Sequence, residues 1–157
     1  MTDEQRKEFT RRIAAASKSE LIVITYELFQ AYLDTLKEAY ENKEEKAYQA
    51  SVQKALACVH ELSQSLVLQY QVGVLLLQLY DYVGLKLQIS MPLQTVDNLQ
   101  EVKKIMSSLQ TAFEEVSKQD QGEPLMSNSQ AVYAGLTYSK SSLNETITET
   151  KNRGFLA

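Results

Sequence analysis

Apolar residues recur along this chain in four blocks, at alternating steps of three and four, with short polar stretches between them. That period puts side chains on one face of an α-helix. The first block opens at Ser17-Lys18-Ser19-Glu20, which has the spacing of a capping box and directly precedes Leu21-Ile22-Val23-Ile24. From there Leu21, Ile24, Leu28, Tyr32, Leu36 and Ala39 form one stripe, and Ile22, Tyr26, Phe29, Leu33 and Tyr40 form a second beside it. The first bundle helix therefore has a wide apolar face. It ends in Glu41-Asn42-Lys43-Glu44, a connection short enough to join antiparallel neighbours.

The second block predicts a helix from Glu45 to Leu66, with Tyr48, Val52, Ala55, Val59, Leu62 and Leu66 in a narrow seam. The third, Gln71 to Ser90, is apolar around most of its circumference: Val72, Leu75, Leu76, Leu79, Tyr80, Tyr82, Val83, Leu87 and Ile89. Such a helix has two surfaces to bury. Met91-Pro92-Leu93 is expected to stop it, because proline disfavours helical geometry in the residue before it. The fourth, Asp97 to Lys118, returns to a narrow seam of Leu99, Val102, Met106, Leu109, Phe113 and Val116, with Asp97 or Thr95 as the expected cap.

Four amphipathic helices joined by short loops predict an all-α fold, an antiparallel up-down four-helix bundle over residues 17–119. Residues 1–16 are charged, with Phe9 and Ile13 one turn apart as their anchoring pair, and are expected to form a mobile arm or a short helix. Residues 120–157 turn to Gly, Pro, Ser, Thr and Asn, with scattered apolar residues at Val132, Tyr133, Leu136, Tyr138 and Leu143, which predicts a flexible tail.

Composition agrees with long helices, since 157 residues hold only two prolines and five glycines. A net charge of −4 without a basic block gives little to drive nucleic-acid binding, so no nucleic-acid partner is expected. The single Cys58 has no internal disulfide partner and the polar start Met1 to Glu8 lacks the apolar run of a signal peptide, which points to the cytosol. The most apolar stretch, Val72 to Ile89, is interrupted by Gln78, Asp81 and Lys86, so it is read as core or interface rather than as a membrane span.

Chemistry is nearly silent. A bundle di-iron site needs Glu-x-x-His on two helices, and the chain has one histidine. Cys58 and His60, two apart, fall on different helix faces, so no metal ligation is expected; His60 reads as a solvent-edge residue and Cys58 as a small buried filler. The carboxylates Glu38, Glu41, Glu44, Glu45, Glu114 and Glu115 read as solvated charge. The glycines at 73, 84, 122, 135 and 154 are isolated and make no phosphate loop, and Asn144-Glu145-Thr146 is a chance sequon in a chain without an export signal. No catalytic residue and no cofactor is expected.

Two features exceed what a core demands. One is the surplus apolar surface of the first and third bundle helices. The other is glycine at 73 and 84 within a helix, each costing about 1 kcal/mol against alanine. These glycines could admit a closely packed partner. Patterning alone leaves burial and binding level.

Several segments resemble, in order, the flagellin export chaperones (FliS). Ala15-Ala16-Ser17-Lys18-Ser19-Glu20-Leu21-Ile22-Val23 is similar to the family's opening Thr-Ala-Ser-Pro-x-Glu-Leu with its apolar run and tyrosine, here Tyr26. Lys54-Ala55 with Glu61-Leu62 resembles its second helix, and Leu79-Tyr80-Asp81-Tyr82-Val83 followed by Leu87 resembles its Leu-Tyr-Asp-Tyr-Met. Ser129 to Tyr138 looks like an extension carried by some clostridial-type members. Lys18 replaces the usual proline, and Gly84-Leu85-Lys86 stands where the family commonly has an aromatic or basic residue and two arginines.

The resemblance implies a cytosolic chaperone that binds the C-terminal segment of flagellin, prevents its polymerisation and delivers it to the flagellar export apparatus. The expected client groove is the surplus surface of the third helix, with Leu76, Tyr80, Val83 and Leu87. The family's arm can occupy part of that groove, which gives Phe9 and Ile13 a gating role; the tail residues Val132 to Tyr138 could act likewise. The alternative is a structural homo-oligomeric helical bundle, in which the third helix pairs with its own copy, or an adaptor without a flagellin client; a weak homodimer is expected as a further partner state.

Overall fold

The computed structural model describes residues 1–120 with Gly122, Pro124 and Leu125. Among these the chain is all-helical: α1 Asp3–Ala15, α2 Lys18–Glu41, α3 Glu45–Gln64, α4 Gln71–Leu93 and α5 Leu99–Gln119. The expected tail from residue 126 onward lies outside the described residues.

The capping box at Ser17 forms as its spacing predicts. The Ser17 hydroxyl accepts from the Glu20 backbone N–H at 3.3 Å, and the Glu20 carboxylate accepts from the Ser17 N–H at 2.8 Å. A second box opens α1, where Thr2 and Gln5 exchange the same pair of bonds at 3.2 and 2.9 Å. Thr2-Asp3-Glu4-Gln5 carries that signature in the sequence, and it turns most of the expected arm into a helix.

α2 is the central element, packing extensively on α3 and α5 and also carrying α1. Against α5, Asp34 meets the Lys103 ammonium at 2.6 Å, Gln30 donates to Ser107 at 3.1 Å, and the Tyr26 ring lies 5.5 Å from Phe113. Residue numbers fall on one helix as they rise on the other, so the two run antiparallel. Tyr32 with Lys54 and Tyr40 with Tyr48 show the same opposition between α2 and α3. Most of the wide apolar face of α2 is thus taken up inside the molecule: Tyr26, Phe29, Leu33 and Leu36 enter the core, Val23 and Ile24 are also buried, and Tyr40 stays exposed. Each such side chain contributes on the order of 1.5–3 kcal/mol by leaving water.

Two expected boundaries move. Pro92 does not stop α4 at the preceding residue; it sits inside the last turn, and the helix runs to Leu93. A proline there removes a single N–H and opposes the carbonyl of Gln88, an exposed residue in contact with water, so the cost stays local. The helix ends at Gln94, which takes a left-handed conformation (φ 44°) and donates its N–H to the Ser90 carbonyl. α5 starts two residues later than expected. Asn98 stands at its N-cap without a side-chain cap bond, while the Thr95 hydroxyl accepts from Asp97 in the preceding turn.

Candidate partner-binding surface

On a helix of 3.6 residues per turn, steps of three and four trace one seam, and shifting such a seam by one residue rotates it by about 100°. α4 carries two of them. Gly73, Leu76, Tyr80, Val83, Leu87 and Ser90 turn inward: all are buried except Leu76, which is half-buried against the core. Val72, Leu75, Leu79, Tyr82, Lys86, Ile89 and Leu93 form the second seam. Within it Val72, Leu75, Leu79, Ile89 and Leu93 are 37–65% exposed. The Lys86 ammonium lies over the Tyr82 ring at 5.2 Å, a charge set on the stripe rather than across it.

This arrangement corrects the expected groove. Tyr80, Val83 and Leu87 face the core, and Leu76 leans on it. The Tyr80 hydroxyl hydrogen-bonds that of Tyr26, deep between α4 and α2. Burial pushes both phenols above the ordinary tyrosine value, so both stay protonated and the pair is neutral. Substituting the outward seam for the inward one preserves the period, which is why the pattern alone did not separate them.

Among the described residues, no other helix closes over the outward seam at length. α4 packs chiefly on α3 and touches α5 over a short stretch only. The α3–α4 connection extends the apolar surface, since Val67, Leu68 and Tyr70 are at least half exposed. By length and composition α4 would suffice to cross a membrane, with a mean hydropathy of 1.2, but Tyr80, Val83 and Leu87 are committed to the core.

The glycines part company. A Cβ on Gly73 would stand 2.2 Å from the Val67 carbonyl oxygen, so this glycine admits the chain's own α3–α4 connection rather than a partner. A Cβ on Gly84 would meet nothing within 4 Å. Gly84 borders a shallow depression with Leu56, Val59, His60 and Leu85, between α3 and α4.

α1 runs antiparallel along α2. The Met1 amino group donates to the Thr35 hydroxyl at 3.1 Å, and near the other end Arg12 makes a two-pronged ion pair with Glu27. Phe9 is half-buried beneath the Arg12 guanidinium, 5.9 Å from its ring, whereas Ile13 is largely exposed. The two expected gating residues thus lie on α1, Phe9 half-buried beside Arg12 and Ile13 exposed.

Reactive chemistry is sparse. Cys58 is buried and its thiol is pushed up to about 12, held in the unreactive neutral form. His60 is exposed. No group of three or more metal-ligating side chains comes together among the described residues.

The described residues are all helical and leave an apolar seam at the surface of α4. The sequence profile of flagellar protein FliS matches residues 1–120. The chain belongs to that family, whose members are chaperones of flagellum biogenesis and flagellar secretion. No curated protein matches it.

Proposed function

We propose that this protein binds the C-terminal segment of flagellin in the cytosol, keeps it from polymerising and presents it to the export apparatus. In this reading α2 to α5 are an up-down four-helix bundle over residues 17–119, residues 1–16 are a displaceable arm, and no membrane or nucleic acid is engaged. One observation carries the proposal: the outward seam of α4 is apolar, exposed over most of its length among the described residues and spaced as a helix-packing surface in a member of this chaperone family.

An amphipathic client helix laid on Val72, Leu75, Leu79 and Ile89 would present its own seam to this one, as helix-in-groove recognition does. Each leucine-sized side chain removed from water contributes on the order of 1.5–3 kcal/mol, set against an ordering cost of about 2–5 kcal/mol for a segment that folds as it binds. The balance gives a complex that forms and also lets go.

The test is the double variant Leu75→Glu/Leu79→Glu, titrated calorimetrically with a flagellin C-terminal fragment. Both side chains are at the surface, so circular dichroism and the urea midpoint stay at wild-type values while affinity falls at least tenfold, about 1.4 kcal/mol. Wild-type affinity in a folded variant sinks the proposal. Sedimentation without client separates the structural reading, in which the seam pairs with its own copy and the variant turns a dimer into a monomer.

A further inference from the structure

α4 carries two charged side chains, Asp81 and Lys86. Five residues apart, they stand about 140° from each other around the helix, too far round to pair. Asp81 borders the depression on the α3 side with His60, whereas Lys86 stands in the outward seam. In that seam Val72, Leu79, Lys86 and Leu93 are seven residues apart, with Leu75, Tyr82 and Ile89 between them, the a and d positions of a heptad pattern. Lys86 is the one charge in it. Its side chain is half-buried with the ammonium over the Tyr82 ring, and it takes part in none of the ion pairs of the described residues.

A helix laid along this seam takes water from that ammonium. Left without an acceptor, the covered charge opposes binding; given a carboxylate, it makes a charge-assisted bond that fixes where the incoming helix sits. A single lysine at an a position sets the register of paired helices for this reason. A second copy of α4 supplies no such acceptor. None of the seam residues is acidic, so in a self-pair Lys86 meets an apolar side chain, a tyrosine or another Lys86.

We infer that Lys86 is the specificity-determining residue of the seam, and that the partner is an amphipathic helix with one carboxylate inside its apolar stripe, two heptads from the residue that covers Val72. This rests on the client reading above and adds what the client must carry. Val72 and Lys86 are separated by about 21 Å along the axis of α4, so the partner's carboxylate stands the same distance from its end of the contact. Helices that are apolar throughout, and further copies of α4, lack the acceptor and are turned away.

The experiment compares the full chain with Lys86→Gln and Lys86→Glu by calorimetry, with two kinds of probe. One is a pair of designed helical peptides of α4's length, with leucine at every a and d position except the one two heptads from the first, which is Glu in one peptide and Lys in the other. The Glu peptide is expected to bind the wild-type chain at least tenfold more tightly than the Lys peptide; the gap narrows with salt, shrinks in Lys86→Gln and reverses in Lys86→Glu. The other probe is the flagellin C-terminal fragment with its carboxylates changed singly to amides, one of which should weaken binding to wild type at least fivefold and leave binding to Lys86→Gln unchanged. Equal preference between the peptides in all three proteins overturns the inference, as does a Glu peptide that fails to bind. So does a wild-type dimer that excludes the Glu peptide, which would assign the seam to a second copy. If the fragment binds none of the proteins, the client reading fails, while the peptide preference still decides the part played by Lys86.

Discussion

The two glycines of α4 stand in opposite surroundings, and their alanine variants should move stability in opposite directions. At Gly84 the helix is free to take a Cβ, so Gly84→Ala should raise unfolding stability by about 1 kcal/mol through helix propensity alone. At Gly73 the new atom would press on the Val67 backbone oxygen, and Gly73→Ala should destabilise by more than that gain, read from urea midpoints. The Tyr26–Tyr80 pair gives a similar contrast. Tyr80→Phe leaves the Tyr26 hydroxyl buried and unpaired, a loss of about 1–3 kcal/mol, whereas removing both hydroxyls should recover much of it, as a double-mutant cycle will show. Cys58 has a definite pH window. Its folded value lies above the unfolded 9.0, so the folded state holds the proton longer; the thiol leaves stability unchanged at neutral pH and erodes it as pH rises from about 9 towards 12. Replacing Cys58 with alanine should flatten that part of the stability profile.

Among the elements, α1 is the one most lightly held. No residue of α1 itself is buried, and its ties are the Arg12–Glu27 pair, the half-buried Phe9 and the Met1–Thr35 bond. An ion pair with both side chains about a third exposed is worth at most about 1 kcal/mol after solvent screening. Phe9→Ala/Arg12→Ala should therefore speed amide exchange throughout Asp3–Ala15 while α3 stays protected; slow exchange in α1 of that variant would show that other contacts hold it. Element boundaries were readable where the signal was local. Ser17 carries its capping box in the sequence, and Thr2 carries the same signal ahead of a charged segment whose apolar stripe is weak. Pro92 misled because its effect depends on its place in the turn: one residue from the end, it removes a bond that water replaces. The candidate surface was legible only as a surplus on one helix. Choosing between two seams one residue apart requires knowing which side α2 and α3 occupy, information that resides in Tyr26 and Val59 rather than in α4.

For the whole molecule, inward and outward seams of the same helix should respond differently to the same kind of change. Leu87→Ala opens a cavity in the core and should cost about 2–5 kcal/mol, while Leu79→Ala should leave unfolding nearly unchanged and weaken client binding. The two measurements together distinguish a residue that builds the body from one that meets a partner. Assembly depends on α2, which gathers α1, α3 and α5 around it, and α4 closes on that core through α3 and through the hydrogen bond between the Tyr26 and Tyr80 hydroxyls. The chain has nine tyrosines and no tryptophan, so its near-ultraviolet spectrum is written entirely by phenol and phenyl rings. Tyr26 and Tyr80 are two of the most deeply buried of these, and they touch each other across the joint between α4 and α2. Absorbance of the unmodified protein thus contains its own optical gauge for that joint: if a client prises α4 away, the two phenols pass into water together and the spectrum registers it without any label.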